Sequence, residues 1–305
     1  MSEFVITASG QRFSAAFRNM AKSSSVIFTF TWTVLFMPSC IKDFPLLNNV
    51  SKRTIRTHSP ATWPDAGRVQ ALGVNCVKII FSRKGFDSRN GGVASPIFPD
   101  GRMRSLPIPD KNDKVNFEKV KCDLTDLGYR ATGLGSLVQD LTFKPRKSER
   151  GVKGTDTCHL DPDLIRSDLT HRKTGWLPMF GQGNAACAHL LNNGVREGDL
   201  FLFFGWFHPL QKVNGQFKFD PERQDAHVIF GWLQIGEIWC GFNANADIPK
   251  WAWYHPHVHG DPDGLCNLKK PVDAVFIAKR RLALPGLRTQ LPGGACSQNT
   301  IRNFS

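Results

Sequence analysis

The sequence lacks several of the patterns that assign a function most quickly. Its 305 residues include 8 cysteines, yet none forms a C-x-x-C pair, which excludes zinc-ribbon spacing. A chain this long needs no disulfide framework, so the cysteines read as reduced thiols in or near the core of a cytoplasmic protein. There is no G-x-S-x-G elbow, no H-x-E…P-C-x-x-C deaminase pattern and no Walker loop. Internal repeats are missing, and so is the βαβ alternation of doubly wound folds. The apolar stretch 25–37 (SVIFTFTWTVLFM) has 13 residues, short of the roughly 20 that cross a bilayer, so no stable membrane association is expected.

What is present is foldable and rich in aromatics. Hydrophobic residues make up 41% of the chain, with 23 Phe and 8 Trp, which excludes disordered and collagen-like classes. The length suits one large domain or two small ones. A formal net charge of +13 invites a nucleic-acid reading, but the excess is unevenly placed. Residues 1–73 hold 8 basic and 3 acidic side chains, 279–305 hold 5 basic and none acidic, and the middle is nearly balanced. The charge is therefore weak evidence for DNA binding.

Strong patterning begins at residue 77. Residues 77–82 (VKIIFS) read as a first strand, followed by a Gly-rich polar loop over 84–92. Asp100-Gly101 and Asn214-Gly215 read as hairpin turns. Residues 184–193 form a short helix stopped by Gly194. Three apolar runs, 200–207, 227–235 and 274–278, read as strands; the first lacks alternation and so is buried on both faces. The expected class is α+β, a strand-rich mixed sheet or partly closed barrel with a few short helices. Residues 1–73 stand apart as a poorly ordered extension. Their apolar stretch resembles a signal-peptide core, but the loop-like composition of 42–75 favours an upstream start, with Val74 or Val77 as the natural first residue.

Seven segments then agree with one family. They are KIIFSRKGFDS, GG-x-x-SPIFPDG with SLPIPD, HLDPDL, FGQGNAACAHL, GVREGDLFLFFGWF, HVIFGWLQIGEI and YHPHVH, in that order. Through them the chain resembles the nucleotide-modification-associated domain family, third type, over 77–285. The resemblance implies an α+β fold and a role in DNA base modification, including hypermodified bases. It implies DNA or a nucleotide as substrate and other base-modification proteins as partners, but no particular reaction. Residues 286–305 diverge from the family pattern, as a truncation or frameshift would leave them.

The residues able to carry chemistry sit in these segments. In an extended chain, His159, Asp161 and Asp163 fall on one side and suit acid–base work or a divalent metal, the one cofactor left open. The plainer reading makes Asp161 a helix N-cap with Pro162 behind it. His255, His257 and His259 alternate in the same way; His255 and His257 are metal candidates, and His257 is also an acid–base candidate. Ser82, Arg83 and Lys84 at a strand end, ahead of glycines, suit a phosphate, with Asp87 as the nearest carboxylate. The alternative is a solvated connector. Gln182, His189 and His227 complete the polar set. Trp206 and Trp232 raise a different possibility, a PUA-like reader that stacks a flipped base between aromatics. Three functions therefore stand: a modification enzyme, a non-catalytic reader, and a structural subunit of a modification complex. Polar groups meeting in one cavity favour the first, and an aromatic cavity without carboxylates favours the second.

Overall fold

The computed structural model describes residues 25–28, 77–129, 133–142, 151–170, 172, 174–240, 248–260, 266–268, 273–286 and 289–296. The expected extension over 1–73 lies outside these residues, apart from 25–28. Two long strands form the spine: β7 (Leu200–Val213) and β9 (Ala226–Cys240). Both begin in the apolar runs seen in the sequence and continue several residues beyond them. Asn214 and Gly215, at φ 53 and 80, supply the two left-handed residues that turn β7 back into β8 (Gln216–Phe219).

On one side of the spine, β2 (Ile79–Arg83) runs parallel to β7, with Ile79 opposite Leu200 and Arg83 opposite Phe204. Strand β1 (Ser25–Phe28) pairs antiparallel with β2, and β3 (Ser95–Ile97) adds in parallel to the far end of β7. On the other side, β9 changes partner. Its residues from Ala226 to Gln234 pair with β7, and those from Ile235 to Cys240 pair with β12 (Ala274–Ala278). Strand β6 (Met179–Gln182) lies on the outer edge of β12, and β13 (Gly294–Cys296) pairs with β9. The result is an open, mixed nine-stranded sheet, not a closed barrel. The expected α+β class is borne out, and the mixed sheet is the form it takes. Helices α1 (Leu134–Thr142) and α2 (Asn184–Asn192) are the two α-helices among the described residues. α2 matches expectation, with Gly194 at φ 62 behind it; α1 carries no mark in the reading above.

Phenylalanines join the two halves of the sheet. Phe180 of β6 packs on Phe201 and Phe203 of β7, at ring separations of 4.8 and 5.1 Å, and stacks on Phe276 of β12 at 5.7 Å. Cys187 and Leu190 of α2 close this core. Truncating a ring such as Phe180 to alanine costs about 3–5 kcal/mol, transfer and cavity together. A second cluster lies under α1, whose Leu134, Leu137, Val138 and Leu141 share one face and bury against Phe117 and Phe217. A third, around Trp176, Met179, Trp239, Val275 and Ile277, holds Val258 at the start of β10 (Val258–Gly260). β10 pairs with β11 (Cys266–Leu268). A short ladder between β4 (Ile108–Pro109) and β5 (Cys158–His159) sets Ile108 opposite His159. Cys122, Cys158, Cys187, Cys240 and Cys296 are free thiols.

Candidate active site

Six stretches that are distant in sequence end at one cavity of about 400 Å³. The C-terminal end of β2 brings Arg83, Lys84 and the loop with Asp87. The turn after β4 brings Asp110 and Asp113. β5 and the residues after it bring His159 and Asp161. The end of β6 and the start of α2 bring Gln182, Gly183 and Asn184. The approach to β10 brings Pro256 and His257, and Asp273 arrives just ahead of β12. Strand ends open into loops, so side chains there face a cleft without interrupting the core.

Asp161 is the centre of the arrangement, and its side chain is fully buried. Oδ1 accepts from the Gly181 N–H at 2.7 Å, and Oδ2 accepts from Lys84 Nζ at 3.0 Å. Burial by itself would raise this carboxyl. The Lys84 ammonium, with His255 and His257, outweighs burial and holds it well below the usual carboxylate range. The same ammonium lies 4.3 Å from the centre of the Phe180 ring.

The three imidazoles of the site have distinct settings. His159 Nδ1 lies 2.7 Å from Asp113 Oδ2, so an ionised Asp113 places the ring hydrogen on Nδ1 and leaves Nε2 as an acceptor. That Nε2 faces Asp161 Oδ2 at 4.0 Å. His255 is buried; its Nδ1 accepts from the His257 N–H at 3.4 Å, which places its hydrogen on Nε2. This Nε2 has no hydrogen-bond partner and comes no nearer than 3.5 Å to Asp161 Oδ1. Burial pushes His255 down to about 4, against the opposing pull of Asp161, so the ring is neutral at pH 7. The His257 ring stands nearly perpendicular to His159, 5.2 Å away, and its Nδ1 lies 3.8 Å from Asp273 Oδ2. One nitrogen from each of His159 and His257 and one oxygen of Asp161 lie within 4.8 Å of one another; Asp110, Asp113 and His159 form a second group of the same tightness.

Two glycines of the F-G-Q-G segment make this crowding feasible. A Cβ at Gly181 would sit 2.6 Å from His257 Cγ and 2.8 Å from His255 Cε1. At Gly183 it would overlap Asp273 Oδ1 and come 3.6 Å from His257 Cε1. Only hydrogen fits at these two points on the path from β6 to α2.

The structure thus gathers Arg83, Lys84, Asp87, His159, Asp161, Gln182 and His257, with His255 directly behind them. Asp87 reaches the cavity, but its carboxylate accepts from the N–H groups of Arg89 and Asn90 and from the Asn90 side chain, organising its own loop. Asp163 does not join Asp161. β5 is only two residues long, and Asp163 pairs its backbone with Met179. Its side chain turns into a buried cluster with Arg172 Nη2 at 2.6 Å and the Tyr254 hydroxyl, which in turn accepts from Trp176 Nε1 at 2.8 Å. Burial pushes Asp163 up to about 6, opposed by Arg172 and Tyr254. Ser82 is buried in β2. His189 is exposed on α2 beside Asn193. His227 and Trp206 face each other across β7 and β9, and burial and Arg83 push His227 down. Trp232 donates Nε1–H to the Pro292 carbonyl at 3.1 Å. None of these last five lines the cavity, nor does any other tryptophan among the described residues.

Sequence reasoning missed Asp110, Asp113, Asn184 and Asp273. Asp110 ends the SLPIPD segment and Asp273 immediately precedes a strand, both positions where a side chain meets a cleft. Nothing local distinguishes Asp113, whose role comes from a partner 46 residues away.

No helix among the described residues is long and apolar enough to cross a membrane. Neither the curated proteins nor the solved structures provide a match to the sequence. The model of one family, nucleotide modification associated domain 3, matches residues 78–299, a span that contains every cavity residue and runs past the strand at 294–296. On that match the chain belongs to the nucleotide modification associated domain 3 family.

Proposed function

We propose that the cavity is the catalytic centre of an enzyme that modifies a nucleobase, in DNA or in a nucleotide. The convergence of ionisable groups from five distant stretches, with amides from a sixth, into one space of about 400 Å³ carries this reading. That volume lies in the range of small-ligand sites. Its lining is carboxylates, imidazoles, amides and cations, the complement of a site that moves protons rather than one that only stacks a base.

In this reading His159, oriented by Asp113, sets the lone pair of Nε2 beside the Asp161 carboxylate, the two acceptors on which the chemistry turns. Arg83 and the N-terminal end of α2 meet the phosphate, and Asp110 accepts from an exocyclic amino group of the base. Lys84 neutralises Asp161 and fixes it between Gly181 and His255. DNA and other modification proteins are the partners this reading calls for. The test is nucleoside mass spectrometry of DNA from cells with the protein, without it, and with His159→Ala. A modified nucleoside that needs both the protein and His159 is the expected result. Identical nucleosides in all three overturn the proposal.

A further inference from the structure

Deepening that reading and resting on it, we infer that the cavity holds a divalent transition metal ion through His159 Nε2, Asp161 Oδ2 and a nitrogen of His257. Three observations lead there. The three ligand atoms lie within 4.8 Å of one another and come from two separate chain segments packed face to face. His159 Nε2 and Asp161 Oδ2 are both acceptors, yet they face each other at 4.0 Å. Two metal–ligand bonds of about 2.1 Å span that gap. His159 has a carboxylate hydrogen-bonded behind its Nδ1, Asp113 at 2.7 Å, the kind of outer partner that aims a histidine at a metal, and Asp273 stands 3.8 Å from His257 Nδ1.

The charge of the cavity argues the same way. Among the described residues that line the cavity, five carboxylates, Asp87, Asp110, Asp113, Asp161 and Asp273, stand with two cations, Arg83 and Lys84, a formal −3 before any imidazole is counted. An anionic nucleotide entering such a cavity meets repulsion, and a dication removes most of it. Two imidazoles and one carboxylate are the donors of zinc and of ferrous sites that keep open positions for a ligand. Lys84 Nζ, 3.0 Å from Asp161 Oδ2, is then a resident cation that competes with the metal.

The full chain, stripped with chelator and dialysed, is titrated with Zn²⁺ by calorimetry; Co²⁺ serves as the coloured probe whose visible bands report imidazole and carboxylate ligation. One Zn²⁺ per chain is expected. Losing an outer partner such as Asp113 costs roughly 10–100-fold in affinity, and His159→Gln or His257→Ala costs more. Lys84→Gln binds more tightly than the parent. Circular dichroism confirms that each variant is folded, and the Co²⁺ bands read ligation independently of stability. A folded parent that takes up neither ion overturns the inference. So does binding that survives His257→Ala or is abolished by Asp110→Asn alone, because the ion then sits in the other cluster. A protein that takes up no metal yet yields a His159-dependent nucleoside overturns this inference and leaves the proposed function standing. One that binds Zn²⁺ while cellular nucleosides stay unchanged does the reverse.

Discussion

Gly181→Ala adds a single methyl group, and its effect follows from geometry. The new Cβ lands 2.6 Å from His257 Cγ and 2.8 Å from His255 Cε1, whereas ordinary contact begins at 3.4 Å. Gly181 cannot yield easily, since its N–H is held by Asp161 and its strand is paired with β12. The His257 ring must therefore retreat by about 1 Å, more than the ~0.5 Å within which a catalytic constellation works. A displacement of that size costs on the order of 10²-fold in rate, or about 2.7 kcal/mol of barrier. Overpacking adds about 1–3 kcal/mol of lost stability. The assay is the yield of modified nucleoside in cells, read beside thermal unfolding and the histidine ring signals in NMR. Gly215→Ala is the control: its φ of 80 strains the substitution, but nothing lies within 4 Å and the hairpin tip is remote from the cavity. It should lose stability and keep the nucleoside yield. A Gly181→Ala protein with parental yield and unmoved ring signals would refute the reasoning.

Further predictions concern single groups. Asp113→Asn preserves shape but removes the anion that fixes the His159 tautomer; a loss of about 10–100-fold in nucleoside yield, with little change in melting temperature, is expected. Arg172→Met leaves the Asp163 carboxylate buried with only Tyr254 and should cost about 3–5 kcal/mol by urea unfolding; a variant within 1 kcal/mol of the parent, roughly the scale of an exposed pair, would show that the cluster does not anchor this segment. Stability also depends on pH in opposite ways at two buried groups. For His255, from 6.5 to about 4, the unfolded chain takes the proton first, so stability falls as pH falls through that window. For Asp163, from 3.8 to about 6, the folded chain takes it first, so stability rises as pH falls through that window. Unfolding at pH 7 and about pH 5 should therefore show His255→Phe losing less on acidification than the parent, and Asp163→Asn losing more. Parallel profiles for all three proteins would contradict both assignments.

Much of the fold was legible because its strongest elements are local. The runs at 200–207, 227–235 and 274–278 announce strands by composition, and Asn214-Gly215 announces its turn by the backbone it tolerates. Helix α1 went unmarked: Leu134, Leu137, Val138 and Leu141 recur at helical spacing, but a Gly at 135 and a short frame mask it. What no local pattern contains is the change of partner midway along β9, which depends on β12 arriving 34 residues later. The site divides the same way. His159, Asp161 and His257 stand out as residue types in short motifs, whereas Asp113 and Asp273 gain meaning only from what tertiary packing sets beside them. Period two also misplaces Asp163, because alternation holds only while a strand continues.

The change of partner in β9 sets the mechanics of the cavity. Arg83 and Lys84 belong to the half of the sheet that reaches β9 through β7, and Gln182 and Asp273 to the half that reaches it through β12. One continuous strand is thus the shared rib of both walls. Prising these two halves of the sheet apart would tear a ladder of main-chain bonds, so the part of the enclosure they form is a rigid socket and not a pair of jaws. Under the proposed function, a ligand threads the existing mouth, and a base held within a duplex first swings out of its stack to reach His159.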